Sequence, residues 1–132
     1  MVIEHVGFTV SNPLEIAKWY EKNLGCIIQF QGGNEDSGMV FISDSDRTGM
    51  LELIKSKGVK PTGEIITNSA QFHVAFKSEN PENDRKKLED AGAVFVGEAP
   101  VKQGGDVLFM LKDPWGNMIQ LAKRGDKNKF NR

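Results

Sequence analysis

A single cysteine, Cys26, stands in a chain of 132 residues, so neither an internal disulfide nor a thiolate zinc knuckle can form, and a reducing compartment is expected. No apolar run approaches the ~18 residues of a membrane span. The opening MVIEHVGFTV also lacks the basic start and cleavage site of a signal peptide, so a cytoplasmic location away from membranes is expected. Charge of one sign is missing too: 17 Lys and Arg face 18 Asp and Glu, with no block long enough to follow a phosphate backbone. Nucleic acid is therefore not an expected partner. What is present, 39% hydrophobic and 27% charged residues, is enough for a core and argues against a disordered chain.

The order of elements begins with a strand at 2–10, where Val2, Glu4, Val6, Phe8 and Val10 alternate with Ile3, His5, Gly7 and Thr9. Asn12 followed by Pro13 reads as a helix N-cap with proline in the first turn. Leu14, Ala17, Tyr20 and Leu24 then recur at helical spacing until Gly25 stops the helix. Three strands follow at 26–31, 39–43 and 50–55, separated by GGNEDSG and DSDRTG. After a polar connector the same order restarts at QFHVAF (71–76). A separation of 68 residues aligns His5 with His73, Phe8 with Phe76, Asn12-Pro13 with Asn80-Pro81, Phe41 with Phe109, Met50 with Met118 and Leu53 with Leu121. The fold class expected is α+β: two tandem βαβββ modules, about 1–57 and 68–124, pairing into a curved, barrel-like mixed sheet with helices outside. They form one domain over 1–124. The second helix rests mainly on its capped start, since Leu88 and Ala91 are almost its only apolar members, and the polar tail 125–132 is expected to fray.

The two histidines are the only ones in the chain, and the repeat puts them at equivalent points. The same separation pairs Glu52 with Gln120, each flanked by apolar neighbours, in MLELI and NMIQL. Strand neighbours point to opposite faces, so these polar side chains should enter one face while the flanking residues pack against the helices. A lone strand histidine is most often a hydrogen-bonded core or surface residue. Symmetric recurrence of four polar positions is what raises His5, Glu52, His73 and Gln120 above that. Imidazole nitrogen with carboxylate and amide oxygen suits a divalent ion such as Zn, Ni, Co, Mn or Fe. The other candidates are weaker: DPWGN (113–117) is a turn with Trp115 as a packing residue, Gly32-Gly33 and Gly104-Gly105 are poorly placed for phosphate, and Cys26 acts as a small apolar residue.

Taken together, HVGFTV (5–10), LELI (51–54), FHVAF (72–76) and DPWGNMIQLAKR (113–124) resemble the vicinal oxygen chelate superfamily, which groups glyoxalase I, bleomycin-resistance proteins and extradiol dioxygenases. The resemblance runs over 2–123. It implies paired βαβββ modules and a divalent metal held by one residue from each of four strands, here His5, Glu52, His73 and Gln120. The family motif usually ends in Glu where this chain has Gln120. An amide cannot take a proton at neutral pH, which leaves Glu52 as the catalytic base. The implied activity is that of a metal-dependent lyase or isomerase similar to glyoxalase I, moving a proton next to a chelated carbonyl of a small-molecule substrate. Two alternatives stand beside it: a metal-free binding protein resembling the bleomycin-resistance group, and an epimerase similar to methylmalonyl-CoA epimerase. A homodimer is the expected assembly, and two modules on one chain permit a self-contained barrel or a swapped dimer.

Overall fold

The computed structural model describes residues 1–99 and 104–130. Contacts divide the chain into two compact units, 1–65 and 66–132. In the first, β1 (Val6–Thr9), α1 (Pro13–Leu24), β2 (Ile27–Gly33), β3 (Gly38–Ser43) and β4 (Met50–Lys55) are followed by a single helical turn, α2 (Thr62–Ile65). In the second, β5 (Val74–Lys77), α3 (Pro81–Asp90), β6 (Val94–Glu98), β7 (Val107–Lys112) and β8 (Met118–Lys123) repeat the order. Each unit is a four-stranded mixed sheet, β1-β4-β3-β2 and β5-β8-β7-β6, whose first strand runs parallel to its last. Among the described residues no helix is long and apolar enough to cross a membrane.

Local chemistry explains each helix. The Asn12 and Asn80 side chains accept the amides of Glu15 and Asn83, and a proline opens each first turn. Gly25 ends α1 in the left-handed conformation, φ 70°. Ile16, Ala17 and Tyr20 bury the inner face of α1, while Phe8, Val10, Val40, Ile42 and Leu53 supply the buried apolar surface of its unit. Each large side chain so buried contributes roughly 1.5–3 kcal/mol. The second helix has less to offer: Leu88 is its one large buried apolar side chain. Arg85 compensates by laying its guanidinium 3.4 Å from the centre of the Phe95 ring on β6.

The repeat has a fine structure that a single separation does not capture. β1 and β5, and β4 and β8, match at 68 residues, but β3 matches β7 at 69. The pairings Phe41↔Glu52 and Met110↔Gln120 therefore make Met110, not Phe109, the counterpart of Phe41. The cause is the turn after each strand. Asp44 accepts the amides of Thr48 and Gly49 in one, Asp113 those of Trp115 and Asn117 in the other, and the second turn is one residue shorter. Both sheets also carry a bulge on the edge strand, between Ile28 and Phe30 and between Phe95 and Gly97.

Two further expectations change. The first strand begins at Val6, because its partner β4 begins at Met50 and residues 2–5 would face the Asp44 turn, where Arg47 has φ 58°. Residues 125–130 are also held rather than frayed. Buried Asp106 accepts from Arg124 Nη1 at 2.7 Å, Lys129 Nζ at 2.7 Å and the Gly125 amide at 2.9 Å.

Lys129, with the Gly125 amide and Arg124, holds the Asp106 carboxyl well below the usual carboxylate range. A depressed folded-state value means the clamp contributes fully above the ordinary unfolded value of ~3.9 and is lost as pH falls below it. Asp106→Asn is expected to lower the thermal midpoint at neutral pH and to flatten the loss of stability below about pH 4. Thermal melts of both proteins across the acid range check this, and superimposable profiles would remove the clamp from the account.

Candidate functional site

The site in the first unit is built on the parallel pairing of β1 with β4. Gly7 lies opposite Glu52, which starts β1 beside the carboxylate, and His5 reaches it from just before the strand. His5 Nε2 sits 3.2 Å from Glu52 Oε2. The other ring nitrogen, Nδ1, meets the carboxylate of Glu4. That neighbour was expected on the opposite face, but the chain at 4–5 precedes the strand, so alternation does not apply and both side chains reach the same point. The hydrogen bond to Glu4 raises the His5 pKa above its ordinary value. Partial desolvation opposes the rise, and the charges of Glu4 and Glu52 add to it. Once the ring is neutral it can donate to only one of its two carboxylates. With Nδ1–H given to Glu4, Nε2 and Glu52 Oε2 are two acceptors facing each other, an arrangement that requires a proton or a cation between them.

Gly7 makes this contact possible. A Cβ there would lie 3.2 Å from Glu52 Oε2 and 3.2 Å from Ile54 Cδ1, so the carboxylate lies directly over the bare backbone. The backbone at Gly7 is not in the left-handed region, so the requirement is one of space alone.

In the second unit β5 pairs with β8 so that Ala75 lies opposite Gln120, and His73 again precedes the strand by one residue. His73 Nδ1 is 2.7 Å from the Ser69 carbonyl. A carbonyl can only accept, so Nδ1 carries the proton and the neutral ring keeps its lone pair on Nε2. Gln120 is 6% exposed and its Nε2 donates to Met110 Sδ at 3.1 Å. Where the first unit has Gly7 and a carboxylate turned toward its histidine, the second has Ala75 and an amide turned toward β7.

Sequence reasoning missed Glu4, Gly7 and an aromatic neighbour, Phe41, whose ring centre is 5.3 Å from that of His5, edge to face. The acidic residue directly before His5 was the available signal. Phe41 was masked by its apparent alignment with Phe109. Cys26 is buried, and burial pushes its thiol up to about 11, with the Asp44 charge adding, so it stays protonated. A cavity of about 510 Å³ opens elsewhere in the first unit, beside the start of α1, with Asn12, Gln31, Asn34 and Lys55 in its lining. It holds neither His5 nor Glu52. Among the described residues no three His, Cys, Asp or Glu side chains gather where they could hold a metal ion.

The profile of the Glyoxalase/Bleomycin resistance protein/Dioxygenase superfamily matches residues 2–121. The chain belongs to this superfamily. Solved structures agree on the fold. A glyoxalase family protein from Bacillus cereus shares 15% identity over 92% of this chain and 93% of its own, with a TM-score of 0.75. An antibiotic binding protein from Streptomyces sp. CB03234 shares 22% over 92% and 96%, with a TM-score of 0.60. Glyoxalase I from Zea mays shares 20% over 92% of this chain but 44% of its own, with a TM-score of 0.67. No curated protein matches the chain in sequence.

Members of the glyoxalase superfamily often bind a divalent metal, and the donor set of the first unit fits one. Metal–nitrogen and metal–oxygen bonds of about 2.0–2.2 Å place the two donors roughly 2.8–3.6 Å apart for bond angles between square and tetrahedral. The 3.2 Å between Nε2 and Oε2 lies in that range. Glu4 on the far nitrogen occupies the place of the outer carboxylate that commonly orients an imidazole ligand.

Gly7→Ala is therefore expected to fold normally but to displace Glu52 from His5, lowering zinc affinity about tenfold, the scale of a lost supporting contact. Ala75→Gly, at the matching place in the second unit, should leave the affinity unchanged. Calorimetric zinc titrations check both. Equal affinities for Gly7→Ala and the parent would show that Glu52 does not need the space.

Proposed function

We propose that this superfamily member is a divalent-metal-dependent lyase or isomerase of the glyoxalase type, with His5, Glu52, His73 and Gln120 as the metal ligands and a small molecule bearing two neighbouring oxygens as substrate. The observation that carries this reading is the 3.2 Å approach of an imidazole nitrogen, His5 Nε2, to a carboxylate oxygen, Glu52 Oε2. When bound, the ion would act as a Lewis acid on the two substrate oxygens and stabilise negative charge developing there. Glu52 moves the proton. It is the one carboxylate of the proposed set, and Gln120 has no capacity to accept a proton at neutral pH. His5, oriented by Glu4, keeps Glu52 at the mouth of the site, while Gln120 contributes a neutral oxygen and adds no second negative charge. A divalent ion with one carboxylate leaves a net positive site, which favours oxygen-rich, electron-releasing groups on the substrate. A cytoplasmic homodimer belongs to the same proposal.

A second reading has its own support. The fold likeness to an antibiotic binding protein from Streptomyces fits sequestration of an antibiotic or metabolite without metal. An epimerase similar to methylmalonyl-CoA epimerase would share proton transfer next to a chelated carbonyl and differ in returning the proton to the opposite face of the same carbon.

Glu52→Gln separates the first two readings. With methylglyoxal and glutathione in deuterated water, exchange of the carbon-bound substrate proton is expected to fall by about 10²–10⁴-fold, while zinc still binds through the amide oxygen. Exchange unaffected by the substitution would remove Glu52 as the base. Ligand binding equally tight in metal-free and metal-loaded protein would favour sequestration.

A further inference from the structure

The bulge on β2 does more than bend an edge. Ile28 pairs with Ile42 and points to the helix side, and strict alternation would send Phe30 there too. The extra residue, Gln29, instead brings Phe30 opposite Phe41, and Phe41 is opposite Glu52, so Phe30 is turned onto the face that carries the His5–Glu52 pair. Gln29 is tied down by its hydrogen bond to Ser43 Oγ at 2.9 Å, which fixes the bulge. Gly32 then leaves room for the ring: a Cβ there would lie 3.1 Å from Phe30 Cε1 and 2.9 Å from Met39 Sδ.

The result is a row of rings leading away from the polar pair. His5 and Phe41 are 5.3 Å apart between centres, and Phe41 and Phe30 are 6.3 Å apart. Phe30 remains 59% exposed, a large apolar surface held in water beside two oxygen- and cation-seeking groups. The second unit keeps the bulge without the rings. Gly97 and Met110 occupy the positions of Phe30 and Phe41, and its own Phe95–Phe109 pair belongs to the helix side, under Arg85. The fold therefore does not dictate an aromatic wall. Among the described residues, phenyl rings take these two strand positions in the unit that also holds the proposed base.

We propose that Phe30 and Phe41 form a specificity wall that selects substrates with a planar, uncharged group, aromatic or conjugated, attached to one of the two adjacent carbons that bear the neighbouring oxygens. The oxygens face Glu52 and His5, and the planar group lies against the two phenyl rings, where stacking adds to apolar burial. No charged side chain is among the contacts that define the wall, so a charged substituent at that place gains nothing. The proposal deepens the reading of the His5–Glu52 site as the substrate site and depends on it.

Benzoylformate and pyruvate test it, because both carry a carboxylate beside a ketone and differ in phenyl against methyl. Binding is measured by calorimetry to zinc-loaded and metal-free protein, for the parent, Phe30→Ala, Phe30→Leu and Val96→Ala, the last altering the exposed bulge residue of the second unit. The parent is expected to bind benzoylformate about tenfold more tightly than pyruvate, the scale of one aromatic contact. That preference should fall to about parity in Phe30→Ala, partly recover in Phe30→Leu and persist in Val96→Ala. No preference in the parent, a preference indifferent to Phe30, or no binding of benzoylformate in either metal state overturns the wall. A change of oligomeric state in Phe30→Ala with the preference intact assigns the ring to an interface and also overturns it. A Phe30-dependent preference that is the same with and without zinc supports the wall and counts against the metal reading instead.

Discussion

The parallel pairing of the first and last strand in each unit is the constraint on which the site depends. In a parallel ladder the residue two before a paired position lies on the same face as the partner's side chain. Pairing Gly7 with Glu52 starts β1 beside the carboxylate, where His5 just before the strand reaches it, and pairing Ala75 with Gln120 starts β5 beside the amide, with His73 one residue before the strand. A slip of one residue in either ladder would turn the acid or amide into the apolar layer under the helix, where Leu53 and Leu121 now lie fully buried. Burial of those leucines thus fixes the polar geometry on the other face.

Duplication supplied two copies of that arrangement, and the copies have diverged in physically legible ways. Gly7 lets a carboxylate lie across bare backbone toward its histidine. Ala75 occupies the equivalent position, and Gln120 turns to the Met110 sulfur. The outer partners of the two imidazoles differ as well, a carboxylate for His5 and a backbone carbonyl for His73. One half carries charge and proton-transfer capacity. The other offers a neutral amide and an imidazole whose Nδ1 is held by a backbone carbonyl.

Much of this was legible in the sequence. Capped helix starts at Asn12-Pro13 and Asn80-Pro81, alternation in MLELIK, and recurrence of two histidines at one separation gave the βαβββ order twice and the four polar positions. Features that depend on a single inserted or deleted residue were not legible. The shorter Asp113 turn moves Met110 into the place assigned to Phe109, and the bulge at Gln29 reverses the face of Phe30, because neither changes composition or local propensity. Glu4 was placed wrongly for a related reason: alternation was extended beyond the point where β4 offers a partner. The hold of Asp106 on Arg124 and Lys129 joins residues far apart in sequence, and no local pattern announces it.

The claim at the centre of this account is that the histidines serve as ligands rather than as structural hydrogen-bonding groups. X-ray absorption at the zinc edge of the loaded protein tests it most directly, since imidazole leaves a distinctive outer-shell scattering pattern. The account expects a first shell of nitrogen and oxygen at about 2.0–2.2 Å with scattering from two imidazoles and no sulfur, reduced to one imidazole in His73→Ala. A shell of water oxygens without imidazole, or a sulfur scatterer from Cys26, would contradict it.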